Sequence, residues 1–349
     1  MPERRFLVVR LGSLGDIVHT FPAVAALRES FPTSEIVWLT HPRWKLLVNN
    51  SGLASKVWTT ETRSIGSWKK TIREIRDAEF TVAIDYQGLW KSAAPAFFAA
   101  IPRRIGFSPE SVREFGVPLL YTDRVHATSS HVADQNGELS LRAGALSPVA
   151  EIHLQPPPVD EAAFLKYLSA RGVERYVVLS PGGGWHSKCW PPERFGMLCR
   201  MIYDALSLRS VVNYGPGEDH LAAKVRDSSS DTEPLLFNGE LGPLMSLLRH
   251  AECVVGGDTG PLHLAVALGT PVVALFGPTN PARNGPYCGA KSAVATERSI
   301  ATINTEDIVL RAPNVITTHA RSDQPHPSML EIQVDAVFEA VRRIVKARS

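Results

Sequence analysis

Short apolar runs alternate with longer segments of helical period along the first half of the chain. The runs predict five strands, at Phe6–Val9, Glu35–Leu39, Val57–Trp58, Thr81–Ile84 and Arg104–Ile105. The segments between and after them predict helices at Ile17–Ser30, Ser67–Asp77, Leu89–Ala99 and Val132–Ala143. This alternation indicates a parallel sheet that is covered by helices on both faces.

A second alternation begins after the proline-rich stretch Leu154–Pro158, which can continue neither a helix nor a central strand. Its predicted strands are Tyr176–Ser180, Ser210–Asn213, Cys253–Val255 and Val272–Phe276. Its predicted helices are Glu161–Ala170, Pro192–Leu206, Glu218–Asp227, Leu241–His250, Pro261–Leu268 and Val334–Ala347. We therefore expect an α/β protein with two facing, Rossmann-like, doubly wound domains, and a ligand cleft at the carboxyl ends of the strands.

The expected domain limits follow from this division. They are an N-terminal domain over residues 1–160 and a C-terminal domain over 161–330. Residues 331–349 would form a C-terminal helix that could pack back on the N-terminal domain.

Composition and charge exclude several classes of protein. Hydrophobic residues make up 44% and charged residues 21% of the 349 positions, as in globular domains. Residues 1–160 hold 18 Lys and Arg against 16 Asp and Glu, and residues 161–349 hold 19 against 19, so no nucleic-acid partner is expected. No segment reaches the roughly 20 apolar residues of a membrane span.

Location is predicted from the cysteines and the N-terminus. The four cysteines form no CxxC pair, which favours buried thiols in a reducing compartment. The N-terminal residues lack the apolar core of a secretory signal, so a cytoplasmic location is expected. The apolar segment Ala93–Ile101 could graze a membrane, although a helix packed on the sheet is the favoured interpretation.

A glycine turn, Leu11–Asp16, joins the first strand to the first helix. Its glycines permit a sharp turn and the close approach of a ligand, and the helix N-terminus offers free N–H groups. Asp16 lies where an N-cap residue is expected, so it is either a helix cap or a general base. The GxxG spacing and the missing Gly-Lys-Ser/Thr disfavour a dinucleotide enzyme or a kinase.

Two further loops combine glycine with polar residues. Pro181–Gly184 follows a strand and precedes Lys188, which is either a ligand of a diphosphate or a solvated surface lysine. In Gly256–His263 the order of strand, GDTG, proline and histidine would aim helix N–H groups at an anion. His263 is either part of this site or a core histidine. Glu218, at a third glycine turn, could accept hydrogen bonds from ribose hydroxyls.

Six segments, in this order, resemble glycosyltransferase family 9, the heptosyltransferases of lipopolysaccharide inner-core assembly. They are Leu11–Asp16, Asp85–Ser92, Arg103–Phe107, Pro181–Phe195, Tyr214–Glu218 and Gly256–Pro281. The resemblance implies the GT-B fold, an ADP-heptose donor, a lipid-linked Kdo or heptose acceptor and an inverting single displacement. It also implies that the domain over residues 1–160 binds the acceptor, that the domain over 161–330 binds the nucleotide-sugar, and that no cofactor is needed beyond the donor substrate.

Matching positions imply roles for particular residues. Asp16 would be the general base. The donor site would comprise Lys188, Glu218, Asp258, Thr259, Gly260 and His263, with Gly183 and Gly184 where some members carry hydroxyl residues. Candidates for the acceptor site are Gly15, Lys91, Arg103, Arg104 and Arg113, with solvated surface positions as the alternative for the charged ones.

Metal independence is expected because no DxD follows a strand, so that positive groups would replace the cation. A cysteine cluster that would suit the iron-binding, protein-glycosylating relatives is also missing from the sequence, which favours a saccharide acceptor. A lipid-linked acceptor is compatible with peripheral contact with the inner membrane. Two alternatives stay open: a nucleotide-sugar epimerase of similar fold, and a non-catalytic protein that binds nucleotide-sugars.

Overall fold

The computed structural model describes residues 4–61, 65–287, 300–302, 307–313, 315–318, 320 and 322–348. Contacts divide the chain between Leu154 and Gln155 into two compact units, unit 1 and unit 2. The division falls within the proline-rich stretch. No helix in the described ranges is long and apolar enough to cross a membrane.

Unit 1 is built on a six-stranded parallel sheet. Its strands are β1 (Arg5–Val9), β2 (Glu35–Thr40), β3 (Lys56–Thr59), β4 (Val82–Asp85), β5 (Arg103–Phe107) and β6 (Asp123–Val125), in the order β3-β2-β1-β4-β5-β6. Its helices are α1 (Leu14–Val18), α2 (Phe21–Ser30), α3 (Lys45–Asn50), α4 (Ile65–Asp77), α5 (Trp90–Phe98) and α6 (Val132–Ala143), with 3₁₀ turns at Pro42–Trp44 and Val117–Leu120. The strand order changes direction between β1 and β4, so a ligand site is favoured at their carboxyl ends.

The predicted helix Ile17–Ser30 is two helices, α1 and α2. Pro22 is the second residue of α2, where a missing N–H costs nothing, so the chain starts a new helix there. The Thr20 hydroxyl, just before α2, donates to the carbonyl oxygen of Asp16 at 2.8 Å. In contrast, α6 has the predicted bounds. The three-residue strand β6 was not predicted because it is too short and too polar to show a period.

The six parallel strands of unit 2 repeat the strand order of unit 1, and a seventh strand lies at one edge. Its strands are β7 (Tyr176–Ser180), β8 (Arg209–Asn213), β9 (Leu235–Phe237), β10 (Val254–Gly257), β11 (Val272–Phe276), β12 (Ile300–Thr302) and β13 (Ile308–Arg311), in the order β12-β13-β11-β10-β7-β8-β9. β12 pairs antiparallel with β13, and the other pairs are parallel. The direction changes between β7 and β10, which again favours a site at that point.

The helices of unit 2 flank this sheet. They are α7 (Pro158–Ser169), α8 (Pro192–Leu206), α9 (Asp219–Asp227), α10 (Leu241–Arg249), α11 (Gly260–Ala267), α12 (Pro281–Asn284), α13 (Pro327–Glu331) and α14 (Val334–Arg348), with 3₁₀ turns at His186–Lys188 and Ser230–Thr232. α7 begins three residues before the predicted start because Pro158 suits the first helical position.

The C-terminal helix, α14, packs on α8 within unit 2. Its buried side chains Val337, Val341 and Ile344 join the apolar core that also contains Leu198 and Ile202 of α8. From the sequence, this helix could instead pack back on the N-terminal domain. The apolar stripe of a lone helix shows that one face is buried but not which neighbour buries it.

Three cysteines are buried and free. Burial raises the pKa of the Cys189 thiol to about 11, and that of Cys199 and Cys253 to about 12. The fourth, Cys288, lies outside the described residues. Thiols of such high pKa are poor nucleophiles.

Candidate active site

Asp16 lies in α1, the helix that follows β1 at the carboxyl edge of the unit 1 sheet. Ser13, and not Asp16, is the N-cap of α1, and Asp16 is the third helical residue. One carboxylate oxygen accepts hydrogen bonds from the N–H and the hydroxyl of Ser13, both at 2.9 Å. The expectation of an N-cap is therefore wrong by one turn, because Ser13 already occupies the cap before this short helix.

Arg10 pairs with the other oxygen of the Asp16 carboxylate. Its Nη2 lies 2.8 Å from Asp16 Oδ1, and the Asp16 side chain remains 43% exposed while that of Arg10 is 8% exposed. Burial tends to raise the pKa of Asp16, but the Arg10 charge and the Ser13 hydrogen bonds outweigh it and hold the pKa below its ordinary value. Asp16 is thus an oriented, ionised carboxylate that solvent can reach.

The segment Asp85–Ser92 supports this arrangement from the neighbouring strand. Arg10 Nη1 donates to the carbonyl oxygen of Tyr86, and the Leu11 N–H donates to Gln87 Oε1 at 2.8 Å. The buried carboxylate of Asp85 accepts from Gln87 N–H at 2.9 Å and so shapes the loop. Burial raises the pKa of Asp85 in spite of its hydrogen bonds.

Two of the candidate acceptor-binding residues, Arg103 and Arg104, make ion pairs or hydrogen bonds within unit 1. Arg103 forms an ion pair with Asp123 and donates to the carbonyl oxygen of Arg142 at 2.6 Å. Arg104 donates from Nε to the carbonyl oxygen of Leu120 at 2.7 Å. Their guanidinium groups therefore already hold backbone segments together.

The remaining acceptor candidates lie in different settings. Lys91 and Arg113 are exposed, the former in the first turn of α5 and the latter in the segment that follows β5. Gly15 is buried inside α1, beside Asp16. Among the charged candidates, Lys91 and Arg113 thus keep side chains that an anionic ligand can reach.

In unit 2 the loops after β7 and β10 lie side by side, as the strand order requires. A side chain at Gly183 would contact Thr259 Cγ2 at 3.0 Å, and one at Gly257 would meet the carbonyl oxygen of Lys188 at 2.9 Å. Gly184 has open space around it. The structure therefore brings the glycine run, Lys188 and the GDTG segment together as predicted from their places after parallel strands.

Lys188, Asp258 and His263 form one connected group. Lys188 Nζ lies 2.7 Å from Asp258 Oδ2, with side chains 16% and 7% exposed. His263 Nε2 donates to Asp258 Oδ1 at 3.1 Å, and His263 is buried. Burial would raise the pKa of Asp258, but His263 and Lys188 hold it far below its ordinary range. Asp258 thus orients the side chains of both Lys188 and His263.

Two features of this group concern an anion. Lys188 Nζ lies 4.5 Å from the centre of the Trp185 ring, which confines the ammonium from a second side. Thr259 is the N-cap of α11, yet its side chain makes no capping hydrogen bond. Its buried Oγ1 has no hydrogen-bond partner among the described residues. A phosphate oxygen at this helix N-terminus would supply one.

Glu218 lies against the glycine run. Its Oε2 accepts from the Gly215 N–H at 2.7 Å, and a side chain at Gly182 would meet the same carboxylate oxygen at 2.1 Å. Only glycine at position 182 therefore leaves room for this carboxylate. Glu218 is half-buried and is the N-cap of α9, just beyond the carboxyl end of β8.

Sequence reasoning missed three residues that shape these sites. Arg10 orients the Asp16 carboxylate, Gln87 holds the loop before Asp16 through the Leu11 N–H, and the Trp185 ring lies against the Lys188 ammonium. Arg10 ends a strand-like run, an unusual place for a buried charge, and that was the available signal. In the described ranges no three His, Cys, Asp or Glu side chains cluster as metal ligands would.

The chain is similar in sequence to known glycosyltransferases. A family model for glycosyltransferase family 9 (heptosyltransferase) matches residues 68–309. Lipopolysaccharide heptosyltransferase 1 of Escherichia coli (strain K12) is 28% identical over 303 residues, covering 81% of this chain and 91% of that protein.

Two solved structures resemble the whole chain. The E. coli ADP-heptose lps heptosyltransferase II has a TM-score of 0.80 at 18% identity and covers 99% of both chains. The E. coli heptosyltransferase WaaC with ADP has a TM-score of 0.73 at 23% identity, covering 97% of this chain and 99% of that one. These likenesses confirm the predicted fold class, a GT-B protein with two Rossmann-like units.

Proposed function

Because the chain belongs to glycosyltransferase family 9, we propose that it transfers a heptose from ADP-heptose to a lipopolysaccharide inner-core acceptor, either Kdo or heptose. The relatives support this choice of substrates. One is named a lipopolysaccharide heptosyltransferase, and another is described with ADP bound. We also propose that the enzyme meets its lipid-linked acceptor at the membrane surface.

The observation that carries the mechanism is the oriented, exposed carboxylate of Asp16. As the acceptor hydroxyl attacks the anomeric carbon, its proton passes to a carboxylate oxygen of Asp16. The bond from the anomeric carbon to the ADP oxygen breaks on the opposite face, so the configuration inverts. Arg10 keeps the Asp16 carboxylate ionised, so it can accept the proton of the acceptor hydroxyl, although its lowered pKa makes it a weak base.

Donor binding falls to unit 2 in this proposal. Lys188, the N–H of Gly260 and the Thr259 hydroxyl stabilise the negative charge that develops on the departing diphosphate. Asp258 and His263 act by positioning Lys188. One oxygen of the Asp258 carboxylate contacts Lys188 and the other contacts His263. Gly183 and Gly184 admit the phosphates close to the backbone.

The other proposed contacts concern the ends of the substrates. Glu218 binds the ribose hydroxyls of the donor through its second oxygen. Lys91 and Arg113, with Gly15 beside the base, receive an anionic acceptor. Transfer needs no divalent cation in this mechanism because Lys188 and the N-terminus of α11 neutralise the diphosphate.

The test is transfer with defined substrates. Purified protein, ADP-heptose and a delipidated inner-core saccharide are incubated with and without excess EDTA, and products are identified by mass spectrometry. We expect a product heavier by one heptose, with inverted anomeric configuration, at a rate that EDTA leaves nearly unchanged. A rate that collapses with EDTA and returns with magnesium would contradict metal independence. Conversion of the donor without acceptor would instead indicate an epimerase.

A further inference from the structure

A group of large apolar side chains is exposed on unit 1. It comprises Trp90, Phe97 and Phe98 of α5, Phe115, and Leu119 in the 3₁₀ turn, and we call it the α5 patch. Phe115 is 99% exposed and Leu119 69%. Single exposed apolar residues are ordinary, but a contiguous patch with three phenylalanines and a tryptophan marks an interaction surface.

The α5 patch is held in place by specific contacts. Trp90 Nε1 donates to the carbonyl oxygen of Phe115 at 3.2 Å, and the Trp90 N–H donates to Glu114 Oε2 at 2.7 Å. Gly116 has a φ of +81°, and a side chain there would contact the Trp90 ring at 3.1 Å. The turn that displays Phe115 is therefore ordered and fitted to the helix.

Arginine links the two halves of the patch. The Arg104 guanidinium lies 5.4 Å from the centre of the Phe97 ring, and its Nε donates to the carbonyl oxygen of Leu120. Phe97 in turn packs edge-on against Phe98, with ring centres 5.4 Å apart. The aromatic side chains of α5 and the turn that carries Leu119 thus belong to one surface.

Basic side chains border the α5 patch. Helix α4 packs beside α5, and its Arg76 donates to the carbonyl oxygen of Phe98 at 2.7 Å. Together α4 and α5 carry five Lys or Arg residues against two acidic ones. Glu114 is the acidic residue that contacts the patch, at the Trp90 N–H. Aromatic and aliphatic side chains with a basic excess on the adjoining helices are complementary to an anionic bilayer surface, where the rings enter the interface and the cations meet headgroups.

The position of the patch fits the proposed acceptor. Trp90 follows β4, the neighbour of β1, and Phe115 follows β5, the next strand in the same parallel sheet, so the segments that carry them begin at the same edge as the segment that carries Asp16. Two strand spacings separate β1 from β5, roughly 10 Å. A membrane seated on the patch would therefore bring a lipid-anchored saccharide to the edge that carries the base.

We propose that the α5 patch docks unit 1 on an anionic bilayer, with Phe115 and Leu119 inserted at the interface. The inference depends on the proposed function only for the identity of the lipid-linked acceptor. A second copy of this chain is the competing occupant, and it would produce a dimer through the same side chains.

The experiment compares wild type, the double variant Phe115→Ser with Leu119→Ser, and the control Leu146→Ser, which alters a side chain 90% exposed outside the patch. Sedimentation with vesicles of phosphatidylcholine, with and without phosphatidylglycerol, measures binding. We expect wild type and control to bind the anionic vesicles in a salt-sensitive manner, and the double variant to bind at least about tenfold more weakly.

Activity separates this inference from the proposed function. Transfer to a delipidated acceptor should be equal in all three proteins, while transfer to acceptor embedded in anionic vesicles should fall about tenfold for the double variant alone. Wild type that ignores anionic vesicles, or a double variant that binds them normally, would overturn the docking proposal. A dimer in light scattering that only the double variant dissociates would also overturn it. If none of the three proteins transfers heptose to either acceptor, the proposed function is refuted. Vesicle sedimentation alone then tests whether the α5 patch binds an anionic bilayer.

Discussion

Asp16→Asn tests the proposed base, because the change keeps the size of the side chain and removes its charge. The amide has one acceptor oxygen, so it can keep a hydrogen bond from Ser13, but its NH₂ would face the Arg10 guanidinium. Since the carboxylate is 43% exposed, the ion pair is worth no more than about 1 kcal/mol. We expect the melting temperature to fall by roughly 2–4 °C.

The expected loss of activity is far larger than this loss of stability. An amide cannot take the proton of the acceptor hydroxyl, so kcat should fall by about 10²–10⁴. ADP affinity, measured by calorimetry, should stay close to wild type because the proposed diphosphate ligands belong to unit 2. Single-turnover transfer beside ADP binding and thermal melting therefore distinguishes catalysis from structure.

Ser13→Ala is the matched control. It removes the hydroxyl that donates to Asp16 and the side chain of the helix cap, at a cost of about 1 kcal/mol, but retains the carboxylate. Its kcat should remain within about tenfold of wild type. Near-normal transfer by Asp16→Asn, or equal losses in the two variants, would refute the assignment of Asp16 as the base.

The decline of the transfer rate at acid pH is a second test of Asp16 as the base. An ordinary aspartate has a pKa of about 3.9, and that of Asp16 is held lower, so the base stays ionised as pH falls. The single-turnover rate of wild type should therefore be flat from about pH 7 to 5. A decline centred near pH 6 would point to a histidine instead.

Three further variants test unit 2. Lys188→Ala should weaken ADP binding in calorimetry by about ten to a hundredfold, because a charge-assisted contact to the diphosphate is lost. Asp258→Asn should lower the free energy of unfolding in urea by about 3–5 kcal/mol, because it leaves the partly buried Lys188 without its counter-ion. The depressed pKa of Asp258 stabilises the fold above about pH 4 and loses that effect in acid, so this variant should also flatten the acid dependence of stability. Gly182→Ala should displace the Glu218 carboxylate and raise the KM for donor about tenfold, with kcat changed less.

Each of these variants has a control and a contrary outcome. Glu218→Gln is the comparison for Gly182→Ala, because it keeps the glycine and removes the charge of the carboxylate; a raised KM in Glu218→Gln beside a wild-type KM in Gly182→Ala would contradict the steric argument. Unchanged ADP binding and turnover in Lys188→Ala would place that lysine outside the site. Asp258→Asn with wild-type stability and acid dependence would show that its ion pair contributes little.

The sequence alone determined the two α/β series and the places where chemistry could occur. Apolar period and proline signals are local, so helices such as Val132–Ala143 and Pro192–Leu206 were predicted with the bounds that the structure shows. Glycine turns directly after strands identified the loops around Asp16, Lys188 and Asp258, because parallel strands direct the loops that follow them to one edge.

Tertiary structure decided which side chains meet. Lys188 and Asp258 are 70 positions apart, and they pair because β7 and β10 are neighbours in the sheet. Arg10 holds Asp16 because Tyr86, after the adjacent strand β4, anchors the guanidinium. Strand order depends on how distant apolar faces are buried together, and no local pattern encodes it. The charge partners that orient a base or a lysine therefore become visible only in the folded chain.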